Sequence, residues 1–214
     1  MKIKWFGQSC FLLTSKDGVR IVTDPFNKRI GYKLPEVEAD MVTTSHNHMD
    51  HNYIKAVKGD FIHINQLQKY SKDGIEIIEV ETFHDKSGGS KRGKNIIFKF
   101  SIDGINICHC GDLGHVLTPD QLCKIGKVDI LIIPVGGGPT IDALDAVKVV
   151  EQLKPSITIP MHYRTKALGL IGFLFGKVDK FISVAGQKAK ELKELDIDAS
   201  SLSQYKGIVT LKYE

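Results

Sequence analysis

The chain has 214 residues, 42% of them hydrophobic and 25% charged, with 29 Lys and Arg against 25 Asp and Glu. That length and balance suffice for one packed domain over residues 1–214 and exclude a low-complexity or disordered chain. The net charge of +4 is dispersed rather than clustered with aromatic residues, which argues against a nucleic-acid partner.

The N-terminal Met1-Lys2-Ile3-Lys4-Trp5-Phe6 lacks the apolar stretch of a signal peptide, and no apolar run reaches the ~18 residues that span a bilayer. A cytoplasmic location without a membrane partner is therefore expected. Residues 2–6, 10–14 and 19–23 alternate apolar and polar and are separated by Gly7 and by Lys16-Asp17-Gly18, which predicts an antiparallel meander. Met41-Val42-Thr43-Thr44 predicts a short buried strand, and residues 52–58 have the character of a short helix. Further strands are predicted at 61–64, 75–83, 95–102 and 105–110, the last two joined at Asp103-Gly104. The basic run Lys86 to Lys94 is expected as a solvated hairpin loop. Thr118 and Pro119 predict the cap and first turn of a helix that ends at Ile125. Residues 129–135 predict a buried strand, 141–153 a helix capped by Asp142, and 156–160 another strand. Cys10, Cys108, Cys110 and Cys123 fit neither a paired metal spacing nor a disulfide framework, and they are expected reduced and mostly buried. Two strand-rich halves, each followed by helices, predict an α/β layered fold: an αββα four-layer sandwich of two facing mixed sheets with helices outside.

One segment stands apart from this ordinary pattern. Ser45-His46-Asn47-His48-Met49-Asp50-His51 places three imidazoles and a carboxylate within six residues, at the C-terminal end of a predicted strand. Imidazole nitrogen and carboxylate oxygen are ligands for Zn²⁺, and Mn, Ni or Fe use the same set. Other donors recur at the ends of predicted strands: Asp24 after 19–23, His84 after 75–83, Asp112 after 105–110 and His162 after 156–160. Gly111 permits a turn that aims the Asp112 carboxylate out of its strand end. With the first cluster these make eight groups, enough for two ions that share a carboxylate.

The ordered set Asp24, His46-x-His48-x-Asp50-His51, His84, Asp112 and His162 resembles the five motifs of the metallo-β-lactamase superfamily. His109-Cys110-Gly111-Asp112, Pro134-Val135-Gly136-Gly137 and Ile159-Pro160-Met161-His162-Tyr163 resemble its branch of small prokaryotic hydrolases related to ascorbate-6-phosphate lactonase. The resemblance implies that His46, His48 and His84 hold one metal, that Asp50, His51 and His162 hold a second, and that Asp112 bridges them. Asp50 and Asp112 are then the carboxylates of the catalytic machinery, and Asp24 orients a ligand histidine. The activity implied is hydrolysis of an ester-type bond, in a lactone, carboxylic ester or phosphodiester, by hydroxide held between two divalent ions, zinc foremost. A di-iron redox protein on the same scaffold is disfavoured by His48, where such members usually carry Glu. A metal-binding assembly protein without turnover is the third reading.

Residues outside the motifs bear on the substrate, expected to be a small molecule, with an anionic one among the candidates. Gly136-Gly137-Gly138-Pro139-Thr140 opens a helix, so Gly137 and Thr140 are candidates for facing an anion. Arg164 is a candidate partner for a phosphate or carboxylate, and His115 a candidate donor to substrate. Residues 167–175 are an apolar run with two glycines, expected as a lid or as the interface of a homo-oligomer.

Overall fold

The computed structural model describes residues 1–213. Strands β1 (Lys2–Gly7), β2 (Cys10–Thr14) and β3 (Arg20–Thr23) form the expected antiparallel meander, with Trp5 opposite Phe11 and Leu13 opposite Ile21. Side chains separate by parity along each strand. Trp5, Phe11 and Ile21 enter the main core, whereas Phe6, Cys10 and Val22 enter a second cluster with Phe26, Tyr32 and Val42. Because both faces are covered, polar alternation survives only toward the outer ends of these strands.

Two-residue β4 (Val37–Glu38) precedes β5 (Met41–Thr43), which joins β3 in parallel. The segment 52–58, expected as a short helix, makes one 3-10 turn at Ile54–Ala56 and then β6 (Val57–Lys58). It is too short to nucleate a helix alone, and its buried residue, Val57, gains a ladder partner in Val37. Next come β7 (Ile62–Ile64), β8 (Tyr70–Lys72), β9 (Ile75–Phe83), β10 (Lys94–Ile102) and β11 (Ile105–His109). The loop between β9 and β10 is organised by Asp85, whose carboxylate accepts the N–H groups of Ser87, Gly89, Lys91 and Arg92.

The rest of the chain runs α1 (Pro119–Ile125), β12 (Ile130–Pro134), α2 (Ala143–Leu153), β13 (Ile157–Met161), α3 (Val178–Val184), β14 (Ala189–Leu192), β15 (Leu195–Asp196) and β16 (Gly207–Leu211). A capping box between Thr118 and Gln121 starts α1, and Asp142 accepts the N–H groups of Leu144 and Asp145 at the start of α2. Strands β12 and β13 are buried along their whole length, as parallel strands covered on both faces must be.

The strands make a six-stranded sheet, β15-β1-β2-β3-β5-β7, and an eight-stranded sheet, β14-β16-β13-β12-β11-β10-β9-β8. They share one core, which holds Trp5 and Phe11 of the first and Phe98 and Phe100 of the second, and the Phe11 ring lies 5.9 Å from that of His109. Helix α1 packs on β9, and α2 packs on β12 and α3. The second cluster is closed by the β4–β6 ribbon and by 3-10 turns at Lys28–Ile30, Ile54–Ala56 and Lys166–Leu168. The predicted sandwich is present, with its α-helices on the eight-stranded sheet. Among the described residues no helix is long and apolar enough to cross a membrane. All four cysteines are free, and only Cys123 is exposed.

Candidate metal centre

The C-terminal ends of β3, β5, β9, β11 and β13 point to one edge of the sandwich and deliver Asp24, the 45–51 loop, His84, Asp112 and His162. Asp112 is set by its neighbours. Gly111 has φ +52°, and a Cβ there would lie 2.5 Å from Asn95 Oδ1 and from Ser45 Cβ, so glycine is needed for the turn out of β11. Asn95, buried in β10, accepts the Asp112 N–H at 2.9 Å and donates to Cys110 O at 3.0 Å and to Thr82 Oγ1 at 2.8 Å. So held, Asp112 places Oδ2 at 3.2 Å from His84 Nε2 and 4.0 Å from His46 Nε2. Its Oδ1 lies 3.2 Å from His51 Nε2 and 3.4 Å from His162 Nε2.

Asp24 organises the loop that carries the other imidazoles. Its carboxylate accepts the Ser45 N–H and the Ser45 hydroxyl, both at 2.7 Å, and His51 Nδ1 donates to it at 2.8 Å. Three groups result whose ligand atoms lie within 4.8 Å of one another: His46, His48 and His84; His46, His51 and Asp112; Asp50, His51 and His162. Asp24, His162 and Gln8 all take left-handed φ, at 41°, 53° and 50°. Strain of this kind persists only where surrounding structure enforces it.

The electrostatics favour a cation. Burial opposes charge on Asp112, yet the imidazoles of His162 and His51 outweigh it and hold the carboxyl well below its ordinary range. Burial likewise opposes charge on Asp24 and Asp50, and His51 beside each keeps both low. His51 is driven well above the usual histidine value because Asp112 and Asp24 overcome its burial. Burial pushes His46 down to about 3 and lowers His48, which leaves both as neutral imidazoles able to ligate.

The donors fit a divalent cation. His46 Nε2, His51 Nε2, His84 Nδ1, both ring nitrogens of His162 and Asp112 Oδ1 are buried without a hydrogen-bond partner, although several sit at ion-pair distance from one another. Buried polar atoms are nearly always paired, so the convergence of His46 Nε2, His51 Nε2, His162 Nε2 and Asp112 Oδ1 marks a ligand site. Nitrogen and carboxylate oxygen are donors for zinc and its first-row neighbours.

Residues 2–162 match the β-lactamase superfamily domain. A metal-dependent hydrolase of Thermococcus kodakarensis is 30% identical over 195 residues, covering 77% of this chain and 85% of that one. The chain belongs to the metallo-β-lactamase superfamily and is a metal-dependent hydrolase. A crystal structure of a Thermotoga maritima protein, described as a Zn-dependent hydrolase of that superfamily, matches the hydrolase with a TM-score of 0.83 and 39% identity, over 100% of this chain and 99% of that one. An isothiocyanate hydrolase from Delia radicum gut bacteria, 15% identical with a TM-score of 0.74 over 93% of this chain and 100% of that one, shares the fold.

Four residues singled out in the sequence lie outside the donor groups of the hydrolase. His115 accepts the Phe83 N–H through Nε2 at 3.1 Å and meets Val116 O through Nδ1 at 2.9 Å, so its ring braces the strand end before His84. Gly137 donates its N–H to Ile141 O, and the Thr140 N–H and hydroxyl turn back to Gly137 O, so this turn satisfies itself. The Arg164 guanidinium stacks 3.7 Å over the Phe173 ring. Residues 167–175 form two 3-10 turns, with Leu170, Phe173 and Leu174 among the most exposed apolar side chains, while Phe175 packs 5.0 Å from the His162 ring. Cys108 and Cys110 pack in the core.

Sequence reasoning missed Gln8, Ser45 and Asn95. Each contacts the site through an amide, hydroxyl or main-chain group rather than a metal-seeking atom, and a Gln beside a turn glycine has no signal of its own.

Proposed function

We propose that the hydrolase cleaves an ester-type bond, in a lactone, carboxylic ester or phosphodiester, at a centre of two divalent ions. His46, His48 and His84 would hold one, Asp50, His51 and His162 the other, and Asp112 would bridge them. The observation that carries this reading is the division of Asp112, whose Oδ2 faces His84 and His46 while Oδ1 faces His51 and His162. Ions bound there supply Lewis acidity and bring water's acidity into the neutral range. Zinc suits the donor set, and the Thermotoga relative is described as Zn-dependent; Mn, Ni and Fe are the alternatives.

The chain's own residues hold the centre in register. Asp24 accepts a hydrogen bond from His51 Nδ1–H, which leaves Nε2 for the centre. Asn95 and Gly111 fix the bridge, and burial keeps His46 neutral. A cleft of about 460 Å³ beside His46 and His48, lined by Asn47, Asn65, Glu81, Arg92 and Lys94, is of small-molecule size; Glu81 pairs with Lys94, so Arg92 is the cation that would meet an anionic substrate. A cytoplasmic setting, which keeps the four free cysteines reduced, belongs to the same reading.

Metal content of protein purified without chelator, measured by plasma mass spectrometry beside a panel of lactones, esters and phosphodiesters, tests it. Two ions per chain and turnover of an ester are expected. Asp112→Ala and His48→Ala should each lower turnover by about 100-fold or more. Near wild-type activity in both would sink the proposal.

A further inference from the structure

The turn between β1 and β2 is held more firmly than a strand connection requires. Trp5 Nε1 donates to Gln8 O at 3.0 Å, the Thr23 hydroxyl donates to Ser9 O at 3.1 Å, and His109 Nε2 lies 2.9 Å from that same oxygen. Gln8 is 3% exposed and left-handed, a conformation that suits glycine or asparagine better. It reaches two members of one donor group. The His162 N–H donates to Gln8 O at 3.3 Å, and Gln8 Nε2 donates to Asp50 Oδ2 at 3.2 Å. A carboxylate can only accept, so the amide must present its N–H to Asp50. Gln8 Oε1 is left buried without a partner, which a residue retained for packing alone would not require.

We propose that Gln8 is a positioning residue for the half of the centre formed by Asp50, His51 and His162. Its amide N–H fixes the Asp50 carboxylate, which is otherwise partly exposed at the end of its loop, and its main-chain carbonyl fixes His162. Among the described residues it makes no hydrogen bond to His46, His48 or His84, so its effect falls on one of two ions. The inference rests on the two-ion reading above.

The test uses the zinc-loaded full chain, challenged with a graded competing chelator while release of each ion is followed. Gln8→Gly keeps the left-handed turn and its carbonyl but deletes the amide; Gln8→Met keeps the side-chain volume without the amide. Both variants should bind one ion as wild type does and the other about 10- to 100-fold more weakly, the usual cost of losing a partner that orients a ligand. Wild-type affinity for both ions in either variant, or equal weakening of both ions, overturns the assignment. Two ions in the wild type with no change in the variants refutes Gln8 alone; a single ion in the wild type refutes the two-ion reading and the assignment with it.

Discussion

Asp24 and His51 meet in a contact of 2.8 Å with both side chains fully buried, and the same carboxylate also holds the main chain and hydroxyl of Ser45. One acidic side chain thus sets the shape of the ligand loop and the orientation of one of its imidazoles. Removing it leaves the Ser45 N–H and His51 Nδ1–H buried and unpaired, with His46 Nδ1 the remaining partner of the Ser45 hydroxyl. Asp24→Ala is expected to cost about 3–5 kcal/mol, a fall in melting temperature on the order of 10 °C, and to lower metal affinity about 10- to 100-fold. Calorimetry and metal analysis of the purified variant check this; wild-type values in both would show that Asp24 is not the organiser.

Asn95→Ala tests how the bridge is aimed. The substitution strands the Asp112 N–H and Cys110 O and removes a donor to Thr82 Oγ1. A loss of about 1–3 kcal/mol is expected, with weaker retention of metal. Asn95→Asp preserves the acceptor toward Asp112 but loses the donor side, so it should retain more metal than Ala in a side-by-side chelator titration; the reverse order would contradict the assignment.

Removing metal should destabilise the fold, because the ionised carboxylates of Asp24, Asp50 and Asp112 are gathered at one buried edge among donors that lack hydrogen-bond partners. A ligand present at 100 times its dissociation constant adds about 2.7 kcal/mol. Dialysis against chelator should lower the melting temperature by several degrees, with zinc restoring it and calcium, which takes oxygen ligands, failing to. Identical melting with and without chelator would argue that no ion is held.

Glu79 predicts a pH dependence unrelated to the centre. It lies opposite Phe98 on β9, and burial raises its pKa from 4.5 to about 7 against weaker lowering by main-chain N–H groups. Between those values the folded chain binds more protons at this site than the unfolded chain, so this contribution to stability falls as pH rises from about 4.5 to 7. Glu79→Gln should therefore be more stable than wild type at pH 8, by under about 1 kcal/mol because the group is half-exposed, and nearly equal at pH 4.5. Denaturant unfolding at both pH values decides it, and a difference of the same size at both would refute the burial argument.

Much of the fold was legible in residue pattern. The hairpin signals at Asp17-Gly18 and Asp103-Gly104 and the caps at Thr118 and Asp142 act within a few residues, so β1 to β3, β9 to β11, α1 and α2 lie close to their predicted bounds. The elements after residue 177 carried no such signal. β14 is partly exposed along its length and exists through parallel pairing with β16, in which Ala189 meets Ile208. Its stability is a property of the sheet and not of its own residues.

The site divides in the same way. The sequence by itself determined the donor inventory, because an imidazole or a carboxylate at a strand end is a chemical fact that needs no neighbours to be read. Only the tertiary structure decided how the donors group: which oxygen of Asp112 faces which histidines, that Gln8 of the first hairpin reaches Asp50, and that the ring of His115 is occupied by main chain. The physical reason is that hydrogen bonds and ion contacts act over about 3 Å, whereas these partners lie 28 to 61 residues apart in the chain and meet only once the strands have paired into sheets and the sheets have packed.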